Sequence, residues 1–356
     1  MIHRPALTTD ADHNRRLLQE TLDSGPVGEL EVPRGEWTIT DGLRVPAGWT
    51  IRGAEVVDPA AEAPASTLIS AGTTGHPVLH VVGSDVAISD LGLKPPPADP
   101  GEHGGDRGTA ITIGDYLYDS APSWIQRVGV RRVCVSRAGE RHANCVAIMG
   151  AVREVTVHDV TVRGGYTAVA VHWGAVGADV SSIVGPTFHP HQLSLTGLRV
   201  RDAIEGFYLS SVHDVRVSGA CLRDVEMGFR LLPGDNTNRF VPSAYVGGPD
   251  VGGPDVGGPD QPSLAVDIGA RIEIADCCVA WNGPRYGVRV SGWGRSEVDG
   301  VVSVLAYKDT LIRDCSVAGT GTADAWSPIL VEQASGVEFR SIVTGSRPDE
   351  KCCRLG

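Results

Sequence analysis

The stretch VTVHDVTV (155–162) decides the fold, because its order of residues recurs along the chain. Val155, Val157, Val160 and Val162 alternate with polar residues, except where His158-Asp159 doubles the spacing. The same order, apolar-x-apolar-x-x-apolar-x-apolar, reads VAISDLGL (86–93), VGVRRVCV (128–135), LSLTGLRV (193–200) and VRVSGACL (215–222). It continues as IEIADCCV (272–279), TLIRDCSV (310–317) and VEFRSIVT (337–344). Of the 32 positions that should be apolar, only Thr310 and Thr344 are not. Alternation at period two is strand patterning, so each copy predicts two short strands joined by a bend. Asp90, Asp159, Gly197, Gly219, Asp276 and Asp314 occupy bends, where their backbone tolerance suits a tight turn. A column of stacked turns accounts for these aspartates without a metal.

A further short strand precedes most copies, as in AVAVH (168–172), GFYL (206–209), GFRLL (228–232) and YGVRV (286–290). The shortest full repeat is 22 residues, from Leu193 to Val215, which fits one solenoid turn of three short strands. Parallel crossovers are right-handed, so the expected fold is all-β, a right-handed single-stranded parallel β-helix. Cys277 and Cys315 share an inward column with Leu91, Val133, Val160 and Leu198, and are expected as buried core thiols.

Residues 10–23 pattern as a short capping helix, followed by strands in GELEVPRGEWTITDGLRVPAGWTIRG (28–53). This opening, with Val32, Pro33, Gly35, Trp37 and Ile39, then Leu43, Val45, Ile51 and Gly53, resembles the pectate-lyase-like superfamily. The resemblance covers roughly 8–345 and implies the fold. The superfamily includes lyases, hydrolases, epimerases, tailspikes and adhesins, so the resemblance implies no single chemistry. The organisation expected is a cap with opening strands (1–53), coils with inserted loops (54–345) and a C-terminal tail (346–356).

A net charge of −12, from 31 Lys+Arg against 43 Asp+Glu, argues against nucleic acid as the main partner. No apolar run is long enough for a membrane span, and the N-terminal stretch lacks a signal-peptide core. The eight cysteines follow neither a disulfide framework nor a zinc spacing. The expectation is a cytoplasmic protein without metal or cofactor, its partner a small molecule or oligosaccharide. A homo-oligomer is compatible with this composition.

Four insertions, at 114–127, 173–190, 233–263 and 291–308, interrupt the coils at the same turn. Stacked turns place such loops on one side, where they form a wall beside a binding face. The run VGGPDVGGPDVGGPD (246–260) is too rich in Gly and Pro to bury a core and is expected to be disordered. The 95–108 insertion falls at a different turn.

Outward positions of the strand beside that wall bring Ala170, Tyr208, Arg230 and Arg289 into one column, with His172 one step along. Two stacked arginines repel unless they share an anion, and guanidinium suits carboxylate or phosphate. His172, Tyr208, Arg230, Arg289 and His191 are therefore the catalytic candidates. The insertions add Trp173, His189, Asp235, Asn236, Arg239, Trp293, Tyr307 and Lys308 as substrate-binding candidates. Tryptophan can stack on a sugar ring, and histidine can move a proton near neutral pH. The His189-Pro190-His191 stretch resembles the Asp-Pro-His-Asp motif of mannuronan C5-epimerases only in Pro190-His191; His189 and Gln192 replace its acids. The Gly-His-Gly and Arg-Ile-Lys elements of polygalacturonases are missing, as is an acidic cluster for calcium. Glu332 is a weaker candidate on the same face.

These residues point to a carbohydrate-active enzyme of lyase, epimerase or glycoside hydrolase type acting on an anionic sugar. One alternative is an intracellular biosynthetic isomerase or cyclase reusing the scaffold. Another is a non-catalytic tailspike-like or adhesin-like binding protein.

Overall fold

The computed structural model describes residues 1–24, 26–55, 64–72, 75–97, 108–137, 139–178, 187–232, 245–246, 269–283, 286–292, 294–298, 301–305, 307–319, 328–332, 334 and 336–345. Of these, it describes the backbone alone at 245–246, 269–270, 294–298, 301–305 and 308. The 246–260 repeat, apart from Val246, and the 346–356 tail lie outside the described residues.

Each eight-residue pattern is a pair of strands in two adjoining parallel sheets, and the preceding short strand lies in a third. The first sheet stacks Val152–His158 on His191–Thr196 and His213–Ser218, the second stacks Thr161–Gly164 on Arg199–Arg201 and Cys221–Val225. Nine parallel strands form the third sheet, from Leu43–Val45 through Thr167–His172, Glu205–Leu209 and Met227–Leu231 to Ile329–Glu332. The chain is thus a right-handed parallel β-helix. Its stack begins with the opening strands, since Glu29–Val32, Gly35–Ile39 and Leu43–Val45 already occupy the three sheets.

The bends between the first two sheets are left-handed in every copy. Positive φ is found at Asp90, Arg132, Asp159, Gly197, Gly219, Asp276, Asp314 and Ser341, between 50° and 68°. A second left-handed column precedes each copy, at Asp85, Arg127, Glu154, Gln192, Asp214, Arg271, Asp309 and Gly336. Asp and Gly tolerate this conformation best; arginine, glutamate and glutamine adopt it here because neighbouring coils dictate the corner. Bidentate pairs tie corners across coils, as in Arg132 to Asp90 at 2.6 Å and Arg271 to Asp214 at 2.5 and 2.8 Å.

The interior is a stack of side-chain columns. Cys277 and Cys315 lie in the core, as their position in the repeat predicts, and Phe207 stacks on Phe229 with centroids 5.0 Å apart. Thr310 occupies an inward position between Ile272 and Val337, and its buried hydroxyl has no hydrogen-bond partner among the described residues. An unsatisfied buried hydroxyl costs stability, so Thr310→Val should raise it by about 1 kcal/mol. A lower denaturation midpoint in that variant would contradict the burial argument.

The helix Ala11–Ser24 closes the N-terminal end. Asp10 caps it by accepting from the His13 amide at 3.0 Å. Leu18 and Leu22 enter the core. Gln19 takes the place of a neighbouring strand, accepting from the Arg44 amide at 2.8 Å and donating to the Arg44 carbonyl at 3.0 Å. That satisfies an edge which would otherwise be open to pairing.

Candidate active site on the third sheet

The outward column of the third sheet runs Arg44, His80, Thr112, Ala147, Ala170, Tyr208, Arg230, Arg289, Leu330, each the register partner of the next. Inward neighbours such as Val169, Phe207, Phe229 and Val288 hold these residues outward by alternation. The Arg230 guanidinium covers the Tyr208 ring, its carbon 3.9 Å from the centroid, a cation–π arrangement. His172 meets the same ring edge-on at 4.9 Å. His172, Tyr208 and Arg230 therefore form one group.

Glu205 completes that group and is absent from the sequence-derived candidates. It is 0% exposed, and its Oε2 accepts from Arg230 Nη2 at 2.9 Å and from Thr167 Oγ1 at 3.1 Å. Its signal was visible: it stands two residues before Phe207, in step with the inward side chains, where a carboxylate is out of place. Arg289 has a carboxylate of its own, donating to Glu332 at 2.9 Å and to Ser291 Oγ at 2.8 Å, while Ser291 Oγ donates to Glu332 at 3.0 Å. The expectation that the two arginines need a shared anion is corrected accordingly: Glu205 and Glu332 neutralise them separately.

Three insertions do meet beside this face. Leu117–Tyr118, Gly174–Val176, Thr187–Phe188 and Tyr245–Val246 build a four-stranded sheet from the first, second and third. The fourth forms its own hairpin, Gly294–Val298 with Val301–Leu305. Aromatic residues underlie the wall: Tyr118 and Trp124 approach Phe188 at 5.8 and 6.2 Å. Burial pushes the Tyr118 hydroxyl up to about 12, and that oxygen accepts from the Ala151 amide at 2.8 Å.

Two substrate-binding expectations are corrected by burial. Trp173 is 1% exposed and packs against Tyr116 at 5.0 Å, so it supports the wall and offers no stacking platform. Tyr307 is 0% exposed; its hydroxyl donates to the Leu209 carbonyl and accepts from the Ser211 amide at 3.0 Å. It pins the corner between the third and first sheets. Asp235, Asn236, Arg239 and Trp293 lie outside the described residues, as does the side chain of Lys308.

His189 and His191 belong to a separate buried group with His213. His189 Nδ1 lies 3.1 Å from His213 Nε2, its Nε2 lies 3.0 Å from Thr187 Oγ1, and the two rings stack at 5.4 Å. His191 Nδ1 is 3.1 Å from the His189 carbonyl, and its ring meets Trp124 edge-on at 4.9 Å. Burial holds His189 well below the ordinary histidine range, with His213 and His191 adding to it. Burial, then Arg271, pushes His213 down to about 3. His191 is lowered mainly by burial. This group joins the wall to the first sheet, so neither His189 nor His191 stands with the arginines as expected. Among the described residues no cluster of three or more His, Cys, Asp or Glu converges as a metal site, and no helix is long and apolar enough to cross a membrane.

No protein-family model matches the sequence, and no curated protein matches it. Among solved structures, a tailspike of an Acinetobacter phage aligns with 97% of this chain and 58% of its own, at 9% identity and a TM-score of 0.55. The chain therefore spans little more than half of that tailspike. An endo-xylogalacturonan hydrolase from Aspergillus tubingensis aligns over 97% of this chain and 93% of its own, at 11% identity and a TM-score of 0.48. An iota-carrageenase from A. fortis aligns over 89% and 53%, at 12% identity and a TM-score of 0.44. Together with the three stacked parallel sheets, the tailspike likeness shows that this chain has the right-handed parallel β-helix fold.

Proposed function

We propose that the chain is a carbohydrate-active enzyme that acts on an anionic sugar at the outer face of the third sheet. The observation carrying this reading is the adjacency of Arg230 and Arg289 on successive coils, with Tyr208 and His172 beside them. Glu332 is exposed at its side chain (45%), so a sugar carboxylate can replace it on Arg289. The Arg289 guanidinium on that carboxylate, with the Arg230 charge one coil away, withdraws charge from the sugar carbon next to it. That favours loss of the neighbouring proton, the step shared by lyases and epimerases. In this reading His172, edge-on to the Tyr208 ring, accepts the proton, and Glu205 keeps Arg230 aimed.

A second reading, non-catalytic sugar binding, is favoured by Tyr208 being only 5% exposed beneath Arg230. One experiment separates the two. Short uronate oligosaccharides are incubated with the protein, and unsaturated product is followed by ultraviolet absorbance and epimer content by NMR. Turnover that falls about 100-fold or more in His172→Ala supports catalysis. Binding without turnover, lost in Arg289→Ala, supports the second reading. Neither binding nor turnover across the oligosaccharides would overturn both.

A further inference from the structure

The outer face of the second sheet departs from the acidic character of the chain. Arg163, Arg201 and Arg223 are register partners on three successive coils, and Arg199 lies two residues before Arg201 on its strand. The residues between them, Val162, Val200 and Leu222, are buried, so by alternation the guanidinium groups stand outward on one face. Arg141 adds to this cluster, reaching the Ala203 carbonyl at 3.5 Å and Glu226 at 3.1 Å. Like charges stacked directly opposite destabilise a sheet. The acids following the ladder are Asp202 and Asp224, both at left-handed corners. Arg163 and Arg223 have contacts within the protein, whereas exposed Arg201, between them, makes no ion pair or hydrogen bond among the described residues.

We infer that this ladder is a second binding surface, for a linear polyuronate lying along the helix axis. Coils rise by about 4.8 Å, so the ladder presents one guanidinium per step. A polyuronate carries one carboxylate per sugar ring, a charge repeat of the same order, and guanidinium–carboxylate pairing is charge-assisted. Nucleic acid fits less well. The ladder continues into Ser136 and Ala280, and the column beside it holds Thr161, Arg199, Cys221 and Cys278, with no aromatic ring for a base to stack on. The surface is separate from the third-sheet site and shares with it only the ligand class.

The test is native gel electrophoresis through immobilised polygalacturonate, using chain that already carries Arg289→Ala so that the third sheet is weakened. The expected result is that retardation persists in that background. Adding Arg201→Gln, whose exposed side chain leaves folding untouched, should weaken apparent affinity by about tenfold or more. Retardation unchanged by Arg201→Gln would overturn the inference, as would its disappearance with Arg289→Ala alone or its absence in the unmodified chain. Turnover or binding of short oligosaccharides is untouched by these outcomes, so the third-sheet reading stands or falls independently.

Discussion

Arg230→Met should lower the free energy of unfolding by about 3–5 kcal/mol, the range for breaking a buried ion pair from one side. Glu205 is fully enclosed and its Oε2 has two donors, Arg230 Nη2 and Thr167 Oγ1. Removing the guanidinium takes the charged donor away from an enclosed carboxylate and uncovers the Tyr208 ring. The loss therefore arises from the stranded charge more than from the lost attraction. This has a direct consequence for the double variant. Arg230→Met with Glu205→Leu should recover at least half of the loss, because no charge is then left unpaired. Urea midpoints for the two single variants and the double variant decide the matter. Additive losses would show that Glu205 is not held by Arg230.

Acidification should loosen the wall before it unfolds the helix. His189, His191 and His213 are neutral in the folded chain, all three held below the ordinary histidine value of 6.5 chiefly by burial. Arg153 faces His191 and Arg271 faces His213, and both lower; Asp214 and Glu154 face the group and raise. Unfolded histidine takes up a proton as pH falls through 6.5, whereas folded His213 does so only near 3. The unfolded state therefore binds more protons across that window. Stability is fully present above about pH 7 and declines from 6.5 downward, by about 2 kcal/mol at pH 5 from His213, with His189 and His191 acting in the same direction. Because His189 is joined to Thr187, the strand Thr187–Phe188 should lose hydrogen-exchange protection first. The check is the urea midpoint and exchange protection between pH 8 and pH 5. His189→Asn with His213→Asn should flatten the slope. An equal slope in that variant would place the acid sensitivity elsewhere.

The limits of the sequence show in particular residues. Glu205 carries no local signature of its role, because Thr167 and Arg230, with which it bonds, are 38 and 25 residues away along the chain. Trp173 and Tyr307 lie in insertions, where the sequence predicts ligand-facing side chains, yet the wall and the corner at Leu209–Ser211 enclose them. The second left-handed column was concealed at Arg127, Glu154, Gln192 and Arg271, residue types that carry no turn signal.

The amino-acid sequence by itself determined the strand rows, the bends of the first column and the inward core. Those features are periodic and local, written in alternation and in Asp or Gly at fixed steps. It also determined that the insertions share one turn, because stacking makes equal sequence positions into neighbours in space. The tertiary structure alone decided which charges are neutralised, which rings are sealed and which histidines meet. Those outcomes depend on side chains one coil apart, brought within hydrogen-bond reach by register and by how loops of unequal length fold back over the sheet.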